Sequence, residues 1–179
     1  RLAVDHLHIV GDIFDRGGSA DKILDLLYDY HSLDIEWGNH DILWMGATAG
    51  SDACIATTIR NNIQYNNMQM LENGYGISLR TLTLFAERLY PDMEPMKAAL
   101  KAISVILFKL EGQIISRHPE YNMDDRRLLH KINYENGTIQ IEGNTYEMND
   151  VNFPTVDREN PYELSSEEKQ LVKELRRMY

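Results

Sequence analysis

The spacing of hydrophobic and polar positions changes along this 179-residue chain, and its first part contains both a strand pattern and a helix pattern. Residues 6–10 and 33–37 are short segments in which polar residues separate apolar ones, each followed by a glycine, and they predict two strands. Between them, apolar residues recur at steps of three and four after an N-cap at Ser19, which predicts an amphipathic helix. Its core-facing stripe is Ile23, Leu26, Leu27 and Tyr30. A strand, a helix and a strand in this order form a βαβ unit, whose strands pair in parallel.

Helical spacing dominates the chain from residue 41 to about residue 121. Pro95 suits the first position of a long helix there, because that position needs no backbone N–H donor. The apolar residues of this helix predict a buried seam formed by Met96, Leu100, Ile103, Leu107, Leu110 and Ile114. In total the pattern predicts helices over residues 41–49, 52–72, 78–89 and 95–116.

The period changes again after residue 131. Residues 132–148 contain short alternating runs separated by glycine-containing turns, and they predict a small antiparallel hairpin or a three-stranded meander. A linker over 149–163 follows. Ser165 and Glu168 have the spacing of a capping box, which predicts the start of a final amphipathic helix. The apolar face of that helix is Leu171, Val172, Leu175 and Met178.

Composition and charge narrow the class of protein. With 43% hydrophobic and 26% charged residues, the chain is typical of a globular protein rather than a disordered one. The net charge of -10 disfavours nucleic acid as a partner, because nucleic-acid binding requires a basic face. No apolar run approaches the roughly 20 residues of a membrane helix. The single cysteine, Cys54, allows no internal disulfide and is typical of a reducing compartment.

Two polar motifs directly follow the two predicted strands. The first is GDIFDRG at residues 11–17 and the second is GNHD at residues 38–41. Ligands of an open parallel sheet gather beyond the carboxyl ends of its strands, and neighbouring strands lie about 4.8 Å apart. The two loops can therefore share one cation pocket. Each motif alone is also typical of an ordinary turn, but together they favour metal-assisted phosphoryl chemistry.

The residue types in these loops match the parts of such a site. Asp12 and Asn39 offer hard oxygen ligands, and two divalent ions about 3.5–4 Å apart can clamp a phosphoryl group. His40 is a candidate general acid, with Asp15 on the facing loop as its partner carboxylate. Arg16 can hold phosphate oxygens with its planar guanidinium. In contrast, His6 and His8 share one strand face, where we expect packing or solvent exposure rather than metal ligation. We expect Trp37 and Trp44, which flank GNHD, to pack beneath the site.

These motifs and their flanking residues resemble the class III fructose-1,6-bisphosphatases, which are calcineurin-like metallophosphoesterases. The superfamily signature consists of D-x-H, GDxxD, GNH[DE], a later His and a final G-H-x-H. The segments that resemble the class are residues 6–17, 30–32, 37–41, 43–46, 49–51, 75–77, 79–80 and 117–120. The resemblance implies an α/β fold: a partial metallophosphoesterase βαβ core over 1–50, a large helical insertion over 51–121, and a β-hairpin, linker and C-terminal helix over 122–179.

The resemblance also implies an activity. The parent enzyme would be cytoplasmic and hydrolyse fructose 1,6-bisphosphate to fructose 6-phosphate and phosphate in gluconeogenesis, with a dinuclear Mn²⁺ or Mg²⁺ site. Asp12 then carries over as a bridging ligand, Asn39 as a ligand of one ion, and His40 with Asp15 as the acid pair. The candidate substrate-binding residues are Arg16, Arg80, Arg117 and His118. For His118, a loop-capping role is an equal alternative.

Parts of the superfamily signature are missing. Residues 29–31 match D-x-H, but they come after GDxxDRG and at the end of a helix, whereas the signature has D-x-H before GDxxD. We therefore treat this match as a decoy, that is, as a false match. No His-Gly or Gly-His pair occurs in the sequence. We therefore expect an internal piece of a longer enzyme, inactive by itself, whose exposed strand edges favour self-association. Two alternatives remain: a Ser/Thr-protein or nucleotide phosphatase of the same superfamily, and a non-catalytic interaction module.

Overall fold

The structure, a computed structural model, describes residues 4–179, which form two compact units. The first contains the chain up to Thr81 together with Glu174–Tyr179, and the second is Leu82–Lys173. Their boundary falls inside the predicted helical segment 51–121. Helices together with small parallel and antiparallel sheets confirm the α/β class. Within the described residues, no helix is both long enough and apolar enough to cross a bilayer.

The first unit begins with the predicted βαβ arrangement. Strand β1 (Leu7–Ile9), helix α1 (Ala20–Tyr28) and strand β2 (Leu33–Ile35) follow in order, and the strands pair in parallel with Leu7 opposite Leu33. The N–H of Glu36 still donates to the carbonyl of Ile9 at 2.9 Å, beyond the end of the ladder. Both strands are shorter than predicted. The carboxyl ends of β1 and β2 nevertheless lie side by side, so their loops start from adjacent positions.

Helix α1 buries less of its surface than its apolar spacing predicted. Its buried residues are Ala20 and Leu27, whereas Ile23 is 43% exposed and Leu26 is 77% exposed. The predicted core stripe is therefore wrong at Ile23 and Leu26. The helix belongs to a unit whose sheet has two strands, and so narrow a sheet covers little of a helix face. Ser19 occupies the N-cap position without a capping hydrogen bond from its side chain.

Two further helices of the first unit follow GNHD. Helix α2 spans Asn39–Thr48, and helix α3 spans Asp52–Gln64. The single helix predicted over 52–72 is wrong, because the chain turns at Asn66, whose φ of 58° lies in the left-handed region that Asn tolerates. The chain then forms a short π-helix at Met70–Gly74.

Helix α4 (Arg80–Leu89) crosses the boundary between the units, and α5 (Pro95–Arg117) is the long helix of the second unit. The Glu94 carboxylate caps α5 by accepting from two backbone N–H groups, both at 3.0 Å. Instead of one seam, α5 is buried on several faces, because alanines pack beside its larger apolar residues. The buried residues are Ala98, Ala99, Ala102, Ile103, Val105, Ile106, Leu107, Lys109, Leu110, Gly112 and Ile115.

The second unit also contains the meander, with β3 (Ile132–Asn133), β4 (Thr138–Ile141) and β5 (Asn144–Glu147) antiparallel in that order. The three-stranded prediction is thus confirmed. The predicted capping box is also present: the Ser165 N–H donates to Glu168 Oε2 at 2.7 Å, and the Glu168 N–H donates to Ser165 Oγ at 3.2 Å. Helix α6 (Ser166–Arg176) begins there.

A buried ion pair connects α5 with the start of α6. The Lys109 ammonium donates to Glu168 Oε2 at 2.7 Å and to the Thr155 carbonyl at 2.6 Å, and neither charged side chain is more than 1% exposed. Tyr162 packs its ring against Gly112, where a Cβ would overlap the ring. These contacts explain why helix α5, the linker over residues 149–163 and the start of α6 belong to one compact unit.

Candidate active site

Asp41 joins the two signature loops through its carboxylate. The side chain is buried, at 1% exposure. Its Oδ2 accepts from the N–H groups of Asp12 at 2.6 Å and Gly38 at 2.9 Å, and its Oδ1 accepts from the N–H of Phe14 at 3.1 Å. Sequence reasoning assigned Asp41 no role, although an acid in the first turn of a helix is a recognisable capping signal. Asp41 fixes the spacing of the loops that carry the candidate chemistry.

The carboxylate of Asp12 lies against the N-terminus of α2. The backbone φ of Asp12 is 52°, a value that few residues other than glycine adopt. Its Oδ1 accepts the N–H of His40 at 3.2 Å, and a Cβ at position 38 would overlap this carboxylate. Gly38 is therefore required by close approach. Asp12 thus contacts the residues on both sides of Asn39, and both candidate ligands are exposed.

The candidate acid pair is brought together. Asp15 Oδ1 lies 3.1 Å from His40 Nε2 and 3.5 Å from Arg16 Nε. These are ion-pair distances without hydrogen-bond alignment, and this buried oxygen has no hydrogen-bond partner among residues 4–179. The His40 side chain is 22% exposed and that of Arg16 is 68% exposed. One carboxylate therefore faces both an imidazole and an accessible guanidinium.

A turn after α3 holds the Arg16 loop. The guanidinium carbon of Arg16 lies 5.1 Å from the centre of the Tyr65 ring, a cation–π geometry. The side-chain amide of Asn67 donates to the Arg16 carbonyl at 2.8 Å. The left-handed Asn66 between these residues makes the turn possible. The asparagine-rich stretch after α3 therefore supports the loop that carries the candidate phosphate contact.

Aromatic side chains form the floor beneath the loops. The rings of Phe14 and Trp44 stack with centroids 4.5 Å apart, and Trp44 also lies 5.2 Å from Tyr75 and 5.8 Å from Tyr179. Trp44 is 7% exposed, so the prediction that it packs beneath the site is confirmed. Trp37 is 45% exposed and lines a cavity of about 630 Å³ beside this cluster, which differs from the predicted packing.

His6 and His8 bind the same carboxylate on the face of the small sheet. His8 Nδ1 lies 2.6 Å from Asp34 Oδ2, and His6 Nε2 lies 2.5 Å from Asp34 Oδ1. The hydrogen bonds from His8 and then His6 lower the pKa of Asp34 below its usual range. This arrangement links β1 to β2 behind the signature loops, a contact that the sequence analysis missed.

The other predicted substrate residues lie elsewhere in the chain. Arg80 begins α4 with an exposed side chain. Arg117 ends α5 in the second unit, and His118 caps that helix. His118 Nδ1 lies 2.9 Å from Glu120 Oε1, and its ring stacks on Tyr121 at 4.8 Å. The local contacts of His118 favour its alternative role as a loop cap.

The chemistry of Asp12 and Asn39 fits a hard divalent cation. Both residues carry oxygen donors of the kind that Mn²⁺ and Mg²⁺ prefer, and the missing Cβ of Gly38 leaves space for the Asp12 carboxylate. Between residues 4 and 179, no group of three or more His, Cys, Asp or Glu side chains could hold a metal ion. Asp12 and Asn39 remain the candidate metal ligands of this chain.

Comparison with known proteins identifies the family of this chain. A family model described as Firmicute fructose-1,6-bisphosphatase matches residues 1–179. Class 3 fructose-1,6-bisphosphatases are similar over 98% of this chain, with 52% identity in Clostridium beijerinckii, 50% in Alkaliphilus metalliredigens and 48% in Listeria innocua. The chain spans about 30% of the length of each of these relatives. No solved structure matches it. Because the family model covers every residue, the chain belongs to the Firmicute fructose-1,6-bisphosphatase family.

Proposed function

We propose that the whole protein hydrolyses fructose 1,6-bisphosphate to fructose 6-phosphate and phosphate. The observation that carries this proposal is the contact of one carboxylate, Asp15, with both His40 and Arg16 on loops joined by Asp41. The relatives' name supplies the substrate. This substrate suggests that the whole protein is a cytoplasmic enzyme of gluconeogenesis. The parallel pairing of β1 with β2, with both loops at the carboxyl ends, supports a calcineurin-like metallophosphoesterase core.

Each residue of the two signature loops has a separate role in the proposed hydrolysis. Arg16 binds oxygens of the 1-phosphate through its guanidinium fork. Water attacks phosphorus as the bond to the sugar oxygen breaks, and His40 gives that oxygen its proton, which yields the free hydroxyl of fructose 6-phosphate. Asp15 orients the imidazole. Asp12 and Asn39 would hold Mn²⁺ or Mg²⁺, and a pair of such ions would supply Lewis acidity toward the phosphoryl oxygens and the attacking water.

The test is phosphate release from fructose 1,6-bisphosphate by the purified whole protein with Mn²⁺ or Mg²⁺. His40→Gln removes the proton donor, and we expect kcat to fall about 10²- to 10⁴-fold. His31→Gln is the matched control, because His31 belongs to the decoy D-x-H and binds the backbone carbonyl of Asp5 at 3.0 Å. Turnover of a phosphopeptide or a nucleotide in place of the sugar bisphosphate would replace the proposal with the related phosphatase activity.

A further inference from the structure

The second unit contains a polar cavity that the proposed hydrolysis does not use. Its volume is about 660 Å³, within the range of small-molecule sites. The turn at 129–131, the meander and the linker line it. The side chains that matter for a ligand are Lys131, Tyr134 and Arg158, together with His130 and Glu135.

Arg158 brings a positive charge to this cavity. Its guanidinium carbon lies 4.7 Å from the centre of the Tyr134 ring, and it forms no ion pair within the described part of the chain. Lys131 also lines the cavity, and its ammonium donates to the carbonyl of Asp125 at 2.9 Å. A carbonyl uses one of three ammonium protons and leaves the charge in place.

Tyr134 lines the same cavity, and its hydroxyl is an unused donor. Its oxygen is buried and has no hydrogen-bond partner among residues 4–179. Burial raises the pKa of Tyr134, so the hydroxyl keeps its proton at neutral pH. An unsatisfied buried hydroxyl is costly and in native proteins usually has a ligand, an ion or water to bind.

Two cations act on His130, which also lines the cavity, although the whole chain carries a net charge of -10. Burial is the largest cause of the lowered pKa of His130, and the neighbouring cations Arg127 and Lys131 lower it further. Asp124 opposes them and is paired with Arg127 at 2.8 Å. Glu135 is the carboxylate that lines the cavity itself, against two cationic side chains.

We propose that this cavity binds the phosphate group of a small metabolite through Arg158, Lys131 and the Tyr134 hydroxyl. Three donors of these kinds match the three peripheral oxygens of a phosphate monoester. The cavity also has room for the remainder of a molecule the size of a sugar phosphate. The ligand class follows from the donors, and the site belongs to the second unit, whereas Asp12 and His40 belong to the first.

The experiment is calorimetric titration of the protein with inorganic phosphate, at constant ionic strength and with a chelator present. The titration is made in an Arg16→Gln background, which removes the phosphate contact of the proposed active site. We expect saturable binding that Arg158→Gln weakens at least about 10-fold, because a charge-assisted contact is lost. Tyr134→Phe keeps the ring beneath Arg158 and removes only the donor, and we expect it to weaken binding about 5-fold.

Arg88→Gln is the matched control, since Arg88 is an exposed cation of the same unit that pairs with Glu167 at 3.3 Å. It should leave the affinity unchanged. Thermal denaturation of each variant establishes that it is folded, and Tyr134→Phe still tests the site if Arg158→Gln does not fold. Three results would overturn the proposal: no saturable binding, equal losses in Arg88→Gln and Arg158→Gln, or equal affinity for acetate and phosphate.

Discussion

Asp41 accepts hydrogen bonds from three backbone N–H groups, and this explains how a fully buried carboxylate is tolerated. Burying a charge is costly unless it is hydrogen-bonded, and the N-terminus of α2 adds a favourable dipole. The same bonds tie the backbone of Asp12 and Phe14 in the first loop to that of Gly38 in the second. A structural residue within GNHD thus sets the geometry for the chemical ones.

Tyr65 provides a prediction at the same scale, which depends on the proposed hydrolysis. Tyr65→Leu removes the ring over which Arg16 lies. We expect KM for fructose 1,6-bisphosphate to rise about 2- to 5-fold with kcat nearly unchanged, because an exposed cation–π contact is worth about 0.5–1 kcal/mol. Tyr65→Phe keeps the ring and should retain the wild-type KM. Steady-state kinetics of the whole protein provide the measurement. Equal effects of the two substitutions would mean that the ring does not position Arg16.

At the scale of elements, β1 and β2 are held together by more than their short ladder. Asp34 on β2 receives hydrogen bonds from His6 and His8 on and beside β1. Two strands alone are marginally stable in water. The cross-strand contact therefore supports the sheet edge from which both signature loops begin.

This contact predicts a dependence on pH. The folded pKa of Asp34 is lowered from its usual value near 3.8, so its contribution to stability is present above that value and is lost as the pH falls through the folded pKa. We expect Asp34→Asn to lower the melting temperature at pH 7, and its difference from the wild type to shrink as the pH falls below 3.8, as measured by thermal denaturation. Asp5→Asn, at an exposed carboxylate, should change neither. A pH-independent difference for Asp34→Asn would contradict this explanation.

The ion pair between α5 and α6 predicts a large effect on stability. Lys109→Met leaves the buried Glu168 carboxylate without its partner, and we expect a loss of about 3–5 kcal/mol in the free energy of unfolding in urea. Arg88→Met breaks an exposed pair with Glu167 and should cost less than about 1 kcal/mol. Similar losses in the two variants would show that burial of the Lys109 pair does not matter.

At the scale of the whole molecule, each of the two compact units contains a different set of functional features. The first contains the signature loops and their aromatic floor, and the second contains the polar cavity and the buried ion pair. The chain spans about 30% of the length of its relatives, so their activity is a proposal about the whole protein.

The metal site allows a test at this scale. Asp12 and Asn39 would supply two oxygen ligands to the proposed metal site, whereas Mg²⁺ and ions like it take about six. We expect the 179-residue chain alone to bind Mn²⁺ weakly or not at all in calorimetry, and the whole protein to bind two ions. Asp12→Ala in the whole protein should abolish the binding of both ions, because this carboxylate is the proposed bridge. Tight binding of two ions by the 179-residue chain would refute the expectation.

Features that depend on neighbouring residues could be predicted from the sequence. The capping box of Ser165 and Glu168, the Pro95 helix start and the glycine turns of the meander involve residues a few positions apart, so spacing alone specifies their hydrogen bonds. The order strand, helix, strand also predicted the parallel pairing of β1 with β2, because a helical crossover permits little else.

Features that depend on distant residues were decided by tertiary structure. Periodicity identified an apolar stripe on α1 but not how little of it is covered, and it gave no sign that Lys109 pairs with Glu168. The sequence alone determined which chemical groups follow the two strands. Only the folded chain decided that Asp41 joins their loops and that Asn67 supports Arg16, because such contacts depend on the path of the backbone between residues far apart in sequence.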